Sequence, residues 1–207
     1  AVAAAGAAGG ARGAMEVADV GEGETASWVI DGYATLFAEA GAQARFDLLL
    51  VPVGVGSLCA AAARFAARAG IRLIGVEPAS AGCLTASLAA GEPTAVATPG
   101  TEMAGLDCAE VSPAAWPSLR DGVHGTITVS EEEARSAVRE LASAGLSIGH
   151  SGAAPLAGLS ALAGDLRCSE LRDFVGLGPA SRVLLLATEG PTDPAAYAGA
   201  LAGRATA

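Results

Sequence analysis

The chain has 207 residues, of which 52% are hydrophobic and 16% charged. That length suits one domain, and the apolar content excludes intrinsic disorder. Acidic residues outnumber basic ones 22 to 12, a net charge of −10, which argues against nucleic acid or an anionic membrane as a partner.

About a quarter of the residues are Ala and only 4% are aromatic. The core is therefore expected to be built from Ala, Val and Leu, with close helix–sheet contacts. All 12 basic residues are Arg, so the chain contains no Lys; it also contains no Asn. Chemistry that needs a lysine amine is closed to this polypeptide on its own. Cys59, Cys83, Cys108 and Cys168 show no C-x-x-C spacing, and His124 and His150 are the only imidazoles. No metal site is expected, and the thiols read as reduced and buried in a cytoplasmic protein. The longest apolar run, Leu48 to Ala63, is broken by Pro52, Gly54 and Gly56 and does not read as a membrane span. No basic stretch precedes an apolar core near Ala1, so no signal peptide is expected.

Residues 1–24 are Ala/Gly-rich and aperiodic, and read as a poorly ordered lead-in. A helix is expected from Thr25 or Ser27 to Gly41. Phe46–Val53 is a continuous apolar run, the mark of a strand buried on both faces. After a Gly-containing turn comes the helix Leu58–Ala69, stopped by Gly70. Arg72–Glu77 reads as a second strand, followed by a helix over Ala81–Ala90. Residues 91–112 read mostly as loop, with a short helix near Ala114–Arg120. Gly125–Val129 is a third strand. Ser130 and Glu133 then form a capping box for a helix that ends near Gly145. A Gly/Ala-rich helix starts near Ser151. Arg182–Thr188 is the fourth strand, and Asp193-Pro194 opens a last helix.

Strands alternating with helices predict a three-layer α/β fold, a parallel sheet covered by helices on both faces. Ligands in such folds sit beyond the carboxyl ends of the strands. That rule selects Gly54–Leu58, Glu77–Pro78, Ser130 and Thr188–Asp193.

The segment VPVGVGSL is the sharpest motif. Gly54 and Gly56 let the backbone turn and let an anion approach the amides at the helix start. The alternative is a strand-to-helix turn that needs glycine for geometry alone. A dinucleotide fingerprint would place a third Gly where Cys59 stands, although Glu77 supplies the expected acid. A P-loop is excluded, since its Lys is missing. In LLLATEGPTD, Thr188 ends a strand, where its hydroxyl either faces a ligand or bonds local backbone. In GHSGAAPLAGL, His150 is an acid–base candidate or simply a hydrogen-bonded side chain.

Taken in order, SWVIDGYATLFAEA, VPVGVGSL, IGVEPASAGCL, TEMAGLDCAEVSPAAWPSLRDG, HSGAAPLAGL and ATEGPTD resemble the diaminopropionate ammonia-lyase family. These are pyridoxal-phosphate enzymes of the fold type II, tryptophan-synthase-β superfamily. The likeness runs from Ser27 to about Ala202 and covers the C-terminal two-fifths or so of that family. It implies that residues 25–207 are part of the large, cofactor-binding domain. Gly54, Val55, Gly56, Ser57 and Leu58 would cradle the pyridoxal phosphate, and Thr188 would meet the pyridine nitrogen. A neutral partner there leaves the ring nitrogen largely unprotonated and favours β-elimination over transamination. The implied reaction removes the α-proton of 2,3-diaminopropionate, expels the β-amine and yields pyruvate and ammonia. A small amino-acid substrate and a homodimer are implied as well.

Two departures accompany the likeness. The family's Schiff-base lysine and small domain belong to an N-terminal portion beyond this chain, so no catalytic residue is assigned and the chain is expected to be inactive alone. The family pattern G-E-S-G-A has Glu where His150 stands. Two other functions are a non-catalytic phosphate-ligand or partner-binding domain and a dinucleotide-binding oxidoreductase domain.

Overall fold

The computed structural model describes residues 24–203. The expected lead-in lies outside them but for its last residue. Helix α1 spans Glu24–Gln43. Strand β1, Leu48–Pro52, is buried along its whole length. Helix α2 runs Ser57–Ala69 and stops at Gly70, whose amide bonds the Ala66 carbonyl. Strand β2 is Arg72–Pro78 and helix α3 is Cys83–Ala90. A 3-10 turn at Ala104–Leu106 and helix α4, Trp116–Gly122, lead to strand β3, Gly125–Val129. Helix α5 is Glu131–Ser143 and helix α6 is His150–Gly164. A 3-10 turn at Leu166–Cys168 leads into helix α7, Ser169–Val175. Strand β4, Val183–Leu185, and helix α8, Pro194–Leu201, complete the order.

The four strands form one parallel sheet in the order β3-β2-β1-β4. Leu48 pairs with Arg72 on one side and with Val183 on the other, and Ile74 of β2 pairs with Gly125. Side chains alternate across the sheet, as the period of a strand demands. Leu49, Val51 and Leu73 face a core shared with α1, α2 and α4. Leu48, Leu50, Ile74 and Val76 face a second core with α5 and α6. The three-layer α/β arrangement expected from the sequence is what the chain adopts. The Ala-rich α2 and α6 suit it, because a methyl group lets a helix axis lie close to the strands.

Several expectations need correction. The helix α1 passes through Gly41 and ends two residues later, with Gly41 packed against the ring of Phe65. The fourth strand is shorter than Arg182–Thr188: its ladder to β1 stops at Leu185, with a last bond from the Leu186 amide to the Leu50 carbonyl (3.2 Å). Helix α7 occupies a stretch for which no helix was expected.

Candidate functional site

The glycine turn sits at the carboxyl end of β1, the central strand beside β4. Gly56 precedes α2 with φ +96°, a left-handed conformation that a side chain disfavours. A Cβ there would also lie 2.6 Å from Leu119 Cδ1. At Gly54 a Cβ would approach the Gly105 carbonyl at 2.9 Å. No side chain caps the start of α2, and its first turn holds no acidic residue. The first amides of the helix therefore point outward with the positive end of the helix dipole behind them. Ser57 is buried, and its Oγ has no hydrogen-bond partner. A buried hydroxyl left unpaired costs about 1–3 kcal/mol, so the turn is built to meet an acceptor.

A cavity of about 270 Å³ opens onto this turn, walled by Gly54, Gly56, Ser57, Ser151, Thr188 and Glu189. Two of the four strand ends singled out in the sequence, Gly54–Leu58 and the start of Thr188–Asp193, thus meet in one place. Thr188 does not end a buried strand, as expected; it is exposed, three residues beyond β4. Glu189 holds the segment to α6, its carbonyl accepting from the Gly149 amide (3.1 Å). Val55 and Leu58, both expected at the cofactor, line it too, with Pro52; Tyr33 of α1, Gly105, Leu106 and Cys108 also stand in the wall and were not marked in the sequence. Cys108 stands in the MAGLDC motif and Tyr33 in the SWVIDGY motif, which were the available signals.

The other two strand ends are structural. Glu77 is fully buried and accepts from the Leu84 amide (2.6 Å), the Thr85 amide (2.8 Å) and Thr85 Oγ1 (2.6 Å). It caps α3 and has no face left for a ribose. Burial pushes its carboxyl above the usual range, against those hydrogen bonds. Ser130 and Glu133 form the anticipated capping box on α5. Burial disfavours the thiolate form of the two buried thiols near the turn. Burial, with the Glu77 charge behind it, pushes Cys83 up to about 12 and Cys59 further still.

His150 opens α6 and is buried, not exposed. Its Nε2 has no hydrogen-bond partner and lies 3.5 Å from Glu102 Oε2. Glu102 is held by a two-pronged contact with Arg135, Nε to Oε2 at 2.8 Å and Nη2 to Oε1 at 2.7 Å. Among the described residues no group of three His, Cys, Asp or Glu side chains is placed to hold a metal ion, and no helix is long and apolar enough to cross a membrane.

Residues 2–176 match the model of the family described as pyridoxal-phosphate dependent enzyme. The chain belongs to the pyridoxal-phosphate-dependent enzyme family. Pyridoxal phosphate is its cofactor, and its parallel sheet is that of the fold type II members. The chain is 30% identical over 202 residues to the diaminopropionate ammonia-lyase of Salmonella typhimurium, covering 88% of this chain and 50% of that one. The diaminopropionate ammonia-lyase of Escherichia coli K12 is 30% identical over 186 residues, with 83% and 47% covered. The chain thus spans about half the length of the curated relatives it matches. The E. coli diaminopropionate ammonia-lyase in complex with an aminoacrylate–PLP azomethine reaction intermediate superposes with a TM-score of 0.81 at 26% identity, over 94% of this chain and 54% of that one. The T.th. threonine deaminase gives a TM-score of 0.66 at 31% identity, over 79% and 57%.

The turn suits the cofactor's phosphate on the chain's own chemistry. An orphaned buried hydroxyl, an uncapped helix start with no acidic residue in its first turn and a glycine cradle are what a phosphate ester needs.

Proposed function

We propose that this chain is the cofactor-phosphate-binding part of an ammonia-lyase. Its substrate is a small amino acid with an amine on the β-carbon, 2,3-diaminopropionate foremost. The unpartnered Ser57 Oγ at the uncapped start of α2 is the observation that carries this reading. Ser57 Oγ and the amides of Gly54–Leu58 hold the phosphate, while Gly56 keeps the approach clear. Thr188, on another wall of the same cavity, offers a neutral hydroxyl to the ring nitrogen. Because it carries no charge, it does not draw a proton onto that nitrogen, which suits elimination. The bound cofactor supplies an electron sink for bonds at the amino acid's α-carbon.

The chain has no Lys, so covalent attachment of the cofactor and removal of the α-proton fall to residues outside it. On this reading the chain is a cytoplasmic fragment, inactive alone, of an enzyme that works as a homodimer. The relatives of about twice its length support the fragment part of that reading.

The test is to translate the reading frame upstream of the Ala1 codon and assay its product. A lysine-bearing segment is expected there, with release of pyruvate and ammonia from 2,3-diaminopropionate well above that from threonine or serine. A product that prefers threonine overturns the substrate, and one that folds and never binds pyridoxal phosphate overturns the reading.

A further inference from the structure

A second cavity, of about 320 Å³, also has Glu189 in its wall. It lies among the Thr101–Ala104 segment, the start of α6 and the loop into α8. Three carboxylates line it, Glu102, Glu189 and Asp193, and among the described residues no Arg does.

Two of those carboxylates are engaged elsewhere. Both oxygens of Glu102 accept from Arg135. Asp193 Oδ1 accepts from the Ala195 and Ala196 amides (2.9 and 3.0 Å) and so answers the positive end of α8. Glu189 takes only a hydroxyl, Thr192 Oγ1 at 3.2 Å, and joins no ion pair among the described residues. It is the carboxylate without a counter-charge. His150 is 5% exposed and lines the same cavity with an unpartnered Nε2. A neutral imidazole accepts a hydrogen bond at one ring nitrogen.

The ligand that answers both groups is positively charged, small and rich in N–H donors. An anion would meet three carboxylates, Glu102, Glu189 and Asp193, with no Arg in the wall among the described residues. A metal ion would need three or more converging ligands, and no such group exists among the described residues. We propose that this cavity binds a primary ammonium group between Glu189 and His150 Nε2. The ammonium is either the free ion or the distal amine of a diamino acid, which present the same donors. The site does not rest on the cofactor reading, because the probe below needs no cofactor.

The full chain has two histidines, so its imidazole NMR signals form two sets. His124, at the amino end of β3, serves as the internal control; His124→Gln assigns the pair. Methylammonium is expected to move the His150 signals saturably and to leave those of His124 still. Tetramethylammonium at equal concentration, with no N–H to donate, moves neither. In Glu189→Gln the methylammonium affinity falls about tenfold, the scale of one charge-assisted hydrogen bond. If 2,3-diaminopropionate saturates the shift at a lower concentration than methylammonium and alanine does not, the amine belongs to an amino acid; equal saturation points to the free ion. Equal shifts from tetramethylammonium, no saturable shift in the folded wild-type chain, or an unchanged affinity in Glu189→Gln each overturn the assignment.

Discussion

Gly56 and Ser57 divide the work of one turn. Gly56 supplies a backbone conformation and an open approach, and Ser57 supplies a hydroxyl with no internal partner. Both were legible in the sequence, because a second glycine followed by Ser at a helix start has few other uses. Thr188 was legible only as a residue type. Its exposure follows from where a ladder ends, which no local pattern records. Glu77 and His150 were misleading for the opposite reason. Each looks like surface chemistry in the sequence, yet tertiary packing buries both and leaves one fully bonded and the other not. Thr188 can be tested through the bound cofactor's own titration. With pyridoxamine phosphate on the chain, Thr188→Asp is expected to raise the pH at which the ring nitrogen loses its proton, since a neighbouring carboxylate favours the charged ring. Thr188→Ser should leave it unchanged. Absorbance against pH reads both, and no movement in Thr188→Asp would place the hydroxyl away from the ring.

Among the elements, β1 through β3 and the helices α2, α5 and α8 were readable because each carries its own signal. The strands β1 and β2 are apolar runs buried on both faces, and Ser130, Asp193 and Gly70 mark helix ends. The capping box at Ser130 alone is worth about 1 kcal/mol. By contrast β4 is at the edge of the sheet among the described residues, and RVLLLAT reads as longer than it is because the apolar run continues past Leu185, where the ladder to β1 stops. Helix α7 was missed because seven residues are too few to show a period. At the start of β3, His124 ties that strand to β2: its Nδ1 accepts from the Leu73 amide (3.2 Å), and its own amide donates to the Leu73 carbonyl (2.9 Å). Burial, with the Arg72 charge beside it, holds the imidazole below its ordinary value of 6.5. The native state therefore binds that proton less readily than the unfolded chain does. Stability from this contact is present above about 6.5 and is lost as pH falls through that value towards the lower folded one. Urea midpoints measured across that range should drop in the wild-type chain and drop less in His124→Gln. Parallel profiles for the two proteins would show that the contact is not linked to protonation.

At the scale of the whole molecule, the parallel sheet brings the carboxyl ends of β1 and β4 side by side, and the cavity forms where those two adjacent ends open. The ends of β2 and β3 run instead into capping carboxylates and hydroxyls, which close them. This division explains why one rule about strand ends selected four places and only two became a site. We propose that the glycine turn and Ser57 hold a phosphate ester. Calorimetric titration of the full chain with pyridoxamine phosphate, and separately with pyridoxamine, tests it most directly, since neither ligand needs a lysine. The expected result is saturable binding of the phosphate ester, at least about tenfold tighter than pyridoxamine. That advantage should vanish in a folded Gly56→Val, whose side chain meets Leu119 and closes the approach. Equal affinity for the two ligands, or an undiminished preference for the phosphate in folded Gly56→Val, would contradict it.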